Sequence, residues 1–260
     1  MSIEELEKAF ATDRKALMPF LMSGHPTPES FARNLREAAE YADVIEVGVP
    51  FSDPLADGPV IQAAAAQALS HRTTLRSTLE VLTARDDGPP VVLMLSVNQV
   101  LAYGVAKFAA SAKQAKVSGA IVPDLPFEES AQVREAFAHE QIALIPMLAP
   151  TTSDERKRAI LGKARGFAYL ISVAGVTGTR DSYPPETLAY IRSARELSPV
   201  PVCVGFGISK PQHIEQLRQS ADGFIVGSAL IRGIDEARSV ADILKPLRRA
   251  CDTALTGNRS

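Results

Sequence analysis

Two carboxylates, Glu46 and Asp57, are the residues of this sequence whose positions best suit acid–base chemistry. Glu46 interrupts the run 44–49, which otherwise consists of valine, isoleucine and glycine. A strand that is apolar on both faces is typical of a parallel sheet covered by helices. A carboxylate there must be paired, protonated or used, because burying a lone charge is costly. No Lys or Arg occurs in the other strand-like runs, so the pattern favours a chemical role for Glu46.

Asp57 stands on the loop just beyond that strand, in the sequence Asp57-Gly58-Pro59. A helix is predicted over residues 60–69, and aspartate is a preferred residue at a helix N-cap. Capping is therefore an alternative to a chemical role for Asp57. For Glu46 the alternative is a surface position, which would follow if its strand lay at the edge of the sheet.

The composition indicates a globular protein rather than a nucleic-acid or membrane protein. The chain has 260 residues, of which 46% are hydrophobic, and its net charge of -2 comes without any basic block. No apolar run is as long as a membrane span, and the acidic start, residues 1–7, is unlike a signal peptide. The two cysteines, Cys203 and Cys251, lack metal-ligand spacing, which favours a reducing, cytoplasmic location.

The pattern along the chain predicts a closed barrel. Strand-like runs alternate with helical stretches, which implies a parallel sheet, and eight such units in a chain of this length suggest a (β/α)8 TIM barrel. The prediction is α/β, one domain over residues 1–260 with a short extra helix at 3–10. A doubly wound open sheet is the alternative. The predicted strands are 17–22, 44–49, 91–95, 120–122, 142–148, 167–173, 202–204 and 223–226.

Glycine-bearing turns follow the last two predicted strands. Gly205-Phe206-Gly207 follows the seventh strand, and Gly227-Ser228 follows the eighth. In a TIM barrel these loops commonly bind phosphate, because glycines let backbone N–H groups approach the anion. The alternative is that the glycines only turn the chain. Since the active site of such barrels lies at the carboxyl ends of the strands, Glu46 and Asp57 are expected at the same end.

Other kinds of catalytic site are not indicated by the sequence. The four histidines are scattered, so no metal site is predicted, and no Lys lies in a strand to form a Schiff base. No nucleophile elbow or dinucleotide-binding motif occurs. What remains is carboxylate acid–base chemistry on a phosphorylated small molecule. The histidines are His25, His71, His139 and His213.

The stretch 45–59, Ile-Glu-Val-Gly-Val-Pro-Phe-Ser-Asp-Pro-Leu-Ala-Asp-Gly-Pro, resembles the signature of the tryptophan synthase alpha chain family. The resemblance continues at 124–126, Tyr169, 175–178, 205–209 and 227–228. It implies a lyase of tryptophan biosynthesis that cleaves indole-3-glycerol phosphate to indole and glyceraldehyde 3-phosphate. It also implies a partner, a beta chain carrying pyridoxal phosphate in an αββα complex, and no cofactor in this chain.

The resemblance also implies roles for individual residues. Glu46 would protonate indole C3 and assist removal of the glycerol hydroxyl proton, and Asp57 would hold the indole N–H. Tyr169 would lie against the substrate, and Thr177 would lie on a loop that closes over Asp57. The phosphate would be bound by Gly178, Gly207, Gly227 and Ser228.

Two positions depart from the usual family pattern. His25 stands where the family commonly has aspartate, and Ser96 stands where an aromatic residue is common nearby. These departures keep open a regulatory subunit that binds substrate only to activate its partner. A phosphosugar isomerase or epimerase on the same barrel is the other alternative, but such enzymes often need a metal, a cysteine or a second base that the sequence does not place.

Overall fold

Parallel strands alternate with helices in the computed structural model, which describes residues 1–54, 57–171, 183–205 and 207–253. Within these residues, no helix is both long and apolar enough to cross a membrane. The strands are β1 (Ala16–Met22), β2 (Ile45–Gly48), β3 (Val91–Met94), β4 (Val117–Ile121), β5 (Ala143–Leu144), β6 (Met147–Leu148), β7 (Ala168–Leu170), β8 (Val202–Val204) and β9 (Gly223–Val226).

Twelve α-helices and one short 3-10 helix, Phe127–Glu129, accompany these strands in the described ranges. The α-helices are α1 (Ile3–Lys8), α2 (Pro28–Ala39), α3 (Pro59–Ser70), α4 (Leu75–Ala84), α5 (Val97–Tyr103), α6 (Val105–Gln114), α7 (Ala131–His139), α8 (Asp154–Leu161), α9 (Pro185–Leu197), α10 (Pro211–Leu217), α11 (Ser228–Asp235) and α12 (Val240–Asp252).

The sheet closes on itself, as the alternating pattern predicts. The strand order is β5-β4-β3-β2-β1-β9-β8-β7-β6 in the described part of the chain. β5 pairs with β4 and β6 pairs with β7, while only Ile145 and Pro146 separate β5 from β6. The segment 143–148 therefore joins the two ends of the sheet and makes a (β/α)8 TIM barrel. The prediction of the barrel is confirmed, and the open-sheet alternative is wrong.

The fifth predicted strand, 142–148, is divided in two. Pro146 has no N–H to donate to a neighbouring strand, but its carbonyl accepts a 2.9 Å hydrogen bond from the Tyr169 amide in β7. The strand therefore pairs with β4 before the proline and with β7 from the proline onward. An apolar run shows that a strand is present but does not show where its pairing changes.

Helix α5 was not predicted. Ser96 is its N-cap and forms a capping box with Gln99, in which the Ser96 amide donates to the Gln99 side chain at 3.0 Å. Such a Ser-x-x-Gln box satisfies amides that the first helical turn leaves without partners. A helix therefore begins directly at the carboxyl end of β3.

Alternation along the strands sorts side chains between the barrel interior and the surrounding helices. In β2, Ile45 and Val47 pack in the outer cluster with the helices, so Glu46 between them points into the barrel. β2 pairs with β1 on one side and β3 on the other. The edge-strand alternative for Glu46 is therefore wrong.

The N-terminal helix α1 closes the end of the barrel at which the strands begin. Its Ile3 and Leu6 are buried in the interior cluster together with Val92 and Phe167. The Ile3 amide donates to the Gln141 carbonyl at 2.9 Å. A β-carbon on Gly166 would come within 2.8 Å of Leu6, so glycine leaves the space that this side chain fills. The predicted extra N-terminal helix is confirmed, and it contributes to the core.

A buried carboxylate, Asp43, ties the last helix to the start of the barrel strands. Asp43 accepts hydrogen bonds from the guanidinium groups of Arg14 and Arg248 and a 2.8 Å bond from the Leu17 amide. Arg248 of α12 is itself buried and also donates to the Lys15 carbonyl at 2.8 Å. Removing Asp43 would take away the buried one of the two acid partners that Arg248 has within the described residues.

We expect Asp43→Ala to lower the free energy of unfolding by about 3 to 5 kcal/mol, the usual cost of breaking a buried ion pair. Urea denaturation followed by circular dichroism measures it. Asp87→Ala is the control, because Asp87 pairs with Lys116 on the surface and its side chain is 88% exposed. Equal midpoints for both variants would show that the Asp43 contacts contribute little to stability.

Candidate active site

Glu46 lies in the barrel interior, among the described residues that face away from the helices. Its side chain is 0% exposed, and neither carboxylate oxygen has a hydrogen-bond partner within the described residues. Burial, with a smaller contribution from the nearby Asp57 carboxylate, raises its pKa to about 8. A carboxyl with this pKa is mostly protonated at neutral pH, so it can act as a general acid and then take a proton back.

Asp57 lies on the loop between β2 and α3, and it does not cap the helix. The N-cap of α3 is Gly58, and no side chain caps that helix. The capping alternative for Asp57 is therefore wrong. Gln62 of α3 instead holds its main chain, donating from Nε2 to the Asp57 carbonyl at 2.9 Å. Burial raises the pKa of the Asp57 carboxyl.

An apolar cavity of about 290 Å³ opens at the carboxyl ends of the first four strands. Asp57 is the residue of the predicted catalytic pair that lines it. Glu46 does not line the cavity, but Phe20, its partner in register on β1, does. Gly48, which faces the same side of β2 as Glu46, also lines it. The other lining residues are Met22, Val49, Phe51, Asp53, Pro54, Ala65, Met94, Leu95, Ser96, Pro123 and Asp124.

Gly48 keeps the cavity floor open beside Glu46. A β-carbon at this position would come within 2.5 Å of the Phe20 ring and 3.1 Å of Met22. A larger residue would therefore displace the aromatic ring that forms one wall. Glycine therefore occurs at this position for a steric reason, and hydrophobic periodicity alone does not reveal it.

Tyr169 faces the same interior from the opposite side of the barrel. It belongs to the interior cluster on β7 and is buried. Burial raises its pKa well above the usual range, and the charges of Glu46 and Asp57 add to this effect. The three side chains therefore lie within electrostatic range of one another. A β-carbon on Gly205 would approach the Tyr169 hydroxyl to 2.6 Å, so glycine also makes room here.

The predicted phosphate residues lie at the carboxyl ends of β8 and β9. Gly207 has φ +65°, a left-handed conformation that favours glycine. Gly227 is the N-cap of α11, and Ser228 is the first residue of that helix. The structure brings Gly227 near the cavity wall, since a β-carbon there would lie 3.8 Å from Phe20. Thr177 and Gly178 lie outside the described residues.

Helix α11 presents its amino end at this edge of the barrel. The first turn of a helix leaves amides without intrahelical partners, and the helix dipole favours a negative charge there. Gly207, Gly227 and Ser228 do not line the 290 Å³ cavity, so these predicted phosphate-binding residues lie beside it rather than in it. Phosphate binding by Gly207, Gly227 and Ser228 stays a prediction.

The two residues that depart from the family pattern make defined contacts. His25 is buried in the turn after β1, and its Nε2 lies 3.0 Å from the Asp235 carboxylate at the end of α11. Burial lowers the pKa of His25 against the opposing effect of Asp235. Ser96 donates from its hydroxyl to Asp124 at 2.6 Å. His25 thus joins the turn after β1 to the end of α11, and Ser96 joins the segments that follow β3 and β4.

Sequence reasoning missed the side chains that hold these loops together. Asp124 accepts from the Val97 amide at 2.8 Å as well as from Ser96. Gln99 donates from Nε2 to the Pro50 carbonyl at 3.0 Å. The Ser-x-x-Gln spacing could have revealed the helix cap. The contact with Pro50 could not be read from spacing, because it joins residues on different units of the barrel.

No group of three or more His, Cys, Asp or Glu side chains that could hold a metal ion occurs in the described ranges. Both cysteines have free thiols that are buried, Cys203 in β8 and Cys251 in α12. The Cys203 thiol lies in the same interior cluster as Tyr169, and burial raises its pKa well above the usual range.

Comparison with known proteins identifies the family of this barrel. The family model described as tryptophan synthase alpha chain matches residues 6–254. The tryptophan synthase alpha chain of Nitratidesulfovibrio vulgaris (strain DP4) is 42% identical over 252 residues, which cover 94% of this chain and 98% of the relative. The chain belongs to the tryptophan synthase alpha chain family. The resemblance seen in the stretch 45–59 is confirmed over nearly the whole length.

Solved tryptophan synthases share the fold. A chain of the Mycobacterium tuberculosis enzyme superposes with a TM-score of 0.89 at 34% identity, covering 96% of this chain and 98% of that one. A chain from the Pyrococcus furiosus tryptophan synthase α2β2 complex, described in terms of mutual activation, gives 0.85 at 35% identity, with 91% and 98% covered. The family's barrel therefore accounts for the architecture described above.

Proposed function

We propose that this chain catalyses the retro-aldol cleavage of indole-3-glycerol phosphate to indole and glyceraldehyde 3-phosphate, the alpha-chain lyase reaction of tryptophan biosynthesis. Among the structural observations, the one that carries the proposal is Glu46, a fully buried carboxyl whose oxygens have no partner in the described residues. Its raised pKa supplies a proton at neutral pH beside an apolar cavity that suits an indole ring.

The proposed reaction uses Glu46 twice. Protonated Glu46 donates to indole C3, and the ring becomes a cationic indolenine whose N–H is held by the Asp57 carboxylate. The Glu46 carboxylate then accepts the proton of the adjacent glycerol hydroxyl. The C–C bond breaks, its electron pair returns to the ring, and the former carbinol carbon becomes the aldehyde. Glu46 ends protonated, so the cycle balances.

We assign binding roles to the remaining site residues as part of this proposal. Tyr169 packs against the substrate, which is supported by its place in the interior cluster on β7, across the barrel from β2. Gly178, Gly207, Gly227 and Ser228 bind the phosphate, and Thr177 belongs to a loop that closes over Asp57 and excludes water. The amino end of α11 supports the phosphate assignment for Gly227 and Ser228.

The partner in this proposal is a tryptophan synthase beta chain, in a complex of two alpha and two beta chains. The beta chain would carry pyridoxal phosphate and condense indole with serine, so the alpha chain needs no cofactor for its own step. A cytoplasmic location and a single domain over residues 1–260 complete the proposal.

The proposed function is tested by assaying indole release from indole-3-glycerol phosphate, with the chain alone and with a saturating beta chain. We expect release in both assays and a faster rate in the second. A chain that binds substrate and activates the beta chain but releases no indole would be a regulatory subunit. Absence of both effects would reject the family reaction for this chain.

We expect Asp53→Ala to weaken activation by the beta chain more than it weakens basal turnover. Asp53 is exposed on the loop between the two carboxylates, accepts a 2.6 Å hydrogen bond from Ser52 and lines the cavity. Because this loop faces both the site and the solvent, a partner that binds to it can change the position of Asp57. Phe51 on the same loop is half-buried and lines the cavity.

The measurement is the fold-activation of indole release by beta chain, compared between wild type and Asp53→Ala. Asp13→Ala, which changes an exposed aspartate of the N-terminal region, is the control. Equal activation in all three proteins would remove Asp53 from the coupling.

A further inference from the structure

We propose that Gln99 is a positioning residue that places the loop carrying Asp57 by holding the carbonyl of Pro50. This inference rests on the proposed function, since the placement of the loop matters for turnover only if Asp57 acts in the reaction. The juxtaposition behind it is a glutamine amide at the start of α5 that bridges the loops following β2 and β3.

Gln99 uses both ends of its amide. Its Oε1 accepts from the Ser96 amide at 3.0 Å, and its Nε2 donates to the Pro50 carbonyl at 3.0 Å. A backbone N–H can only donate and a carbonyl can only accept, so this amide orientation alone satisfies both partners. The side chain is partly buried, which limits competition from water.

The first turn of α5, which carries Gln99, is itself held in place. Asp124, in the turn after β4, accepts from the Val97 amide at 2.8 Å and from the Ser96 hydroxyl at 2.6 Å. These bonds hold the first turn of α5 against the next loop of the barrel. A continuous set of contacts therefore runs from the loop after β4, through the start of α5, to Pro50.

The loop that begins at Pro50 is held at both of its ends. Gln99 holds the Pro50 carbonyl, and Gln62 holds the Asp57 carbonyl at 2.9 Å. Both anchors are glutamine amides that donate to main-chain oxygens. With only the second anchor left, the loop could shift where it leaves β2. Small displacements of a catalytic group are costly, about a hundredfold in rate for ~1 Å.

Gln99→Glu separates the two bonds of this side chain. A glutamate still accepts from the Ser96 amide, because Ser-x-x-Glu is also a capping box, and a negative charge is favourable in the first turn of a helix. It cannot donate to the Pro50 carbonyl. We therefore expect thermal stability to stay the same or rise, while kcat for indole release falls about tenfold or more. KM should change by less than about twofold, since the residues proposed to bind the phosphate lie on other loops.

Two further variants show whether the lost hydrogen bond to Pro50 or the added charge lowers kcat. Asn98→Asp adds the same charge at the neighbouring, exposed position and should leave kcat near wild type. Gln99→Met removes both bonds without adding charge and should lower both kcat and the melting temperature. Hydrogen–deuterium exchange of the peptide covering residues 51–54 should be faster in both Gln99 variants than in wild type and Asn98→Asp.

The outcomes separate this inference from the proposed function. If wild type releases no indole with a beta chain, the proposed function fails, and unchanged exchange in Gln99→Glu would overturn the anchoring as well. If wild type is active and Gln99→Glu keeps wild-type kcat and exchange, Gln99 serves only as a cap. An equal loss in Asn98→Asp would assign the effect to charge and also overturn the inference.

Discussion

Replacing Glu46 with glutamine should abolish indole release and leave the barrel folded. Glutamine has nearly the same shape but cannot donate an acidic proton to C3 or accept the hydroxyl proton afterwards. Because general acid–base groups contribute about 10²- to 10⁴-fold each and Glu46 acts in both steps, we expect kcat to fall at least about a thousandfold. Glu80→Gln, the same change at an exposed position of α4, is the control. Near-normal indole release by Glu46→Gln would reject its role.

The same substitution should change how stability depends on pH. Burial raises the pKa of Glu46 from 4.5 to about 8 in the folded chain. Between these values the unfolded chain ionises Glu46 while the folded chain keeps it protonated, so the free energy of unfolding falls as pH rises. Glu46→Gln removes this loss of stability at high pH, because glutamine does not ionise. The variant should match wild type near pH 4 and exceed it above pH 8 by on the order of 4 kcal/mol.

Urea denaturation at a series of pH values measures this difference. A stability gap between Glu46→Gln and wild type that does not grow with pH would mean that Glu46 ionises freely in the folded chain. In that case its supply of protons at neutral pH would need another explanation. The Glu80→Gln control should show no growing gap, because that side chain is exposed.

Asp57→Asn should lower kcat about a hundredfold or more while KM changes little. The carboxylate stabilises positive charge on the indolenine, and loss of one such electrostatic group costs about 10²- to 10³-fold. Stability should not fall in Asp57→Asn or Asp57→Ala, since Gly58 rather than Asp57 is the N-cap of α3. Asp86→Asn, at an exposed position, is the control.

The pH profile of the residual activity gives a second readout. The Asp57 charge helps to raise the pKa of Glu46, so removing it should let Glu46 lose its proton at lower pH. The alkaline limb of kcat should therefore move to lower pH in Asp57→Asn. An unshifted limb would place the two carboxylates too far apart to cooperate. A loss of stability with full activity would return Asp57 to a structural role.

Local patterns in the sequence were enough for the barrel and for Glu46. Strand periodicity and alternation with helices depend on neighbouring residues, and the barrel they predict is confirmed. The burial of Glu46 without a basic partner in the other strands is also confirmed, while its chemical role stays a prediction. The choice of N-cap between Asp57 and Gly58 depends on backbone angles, so the sequence left it open. The change of partner at Pro146 depends on which strands lie on either side, which an apolar run does not encode.

The contacts that place the site were less accessible to sequence reasoning. Gln99 and Pro50 meet because two loops converge at the same end of the barrel, and their separation along the chain carries no signal. The same holds for Ser96 with Asp124. Helix α5 was missed because its Ser-Val-Asn-Gln start lacks an apolar period, although its capping box was readable. Long-range hydrogen bonds between loops are therefore the part of the site that required the structure.

The position of α1 has a consequence for the order in which the chain can assemble during synthesis. This helix is translated before the segments on which it packs, since Leu6 rests against Gly166, and the Ile3 amide donates to the Gln141 carbonyl. The surface on which it packs is complete only after Gly166 has emerged. Until then the apolar residues of α1 have no partner surface, and nascent chains with exposed apolar segments are prone to aggregate. A segment translated before its packing partners is thus among the later ones to reach its final place.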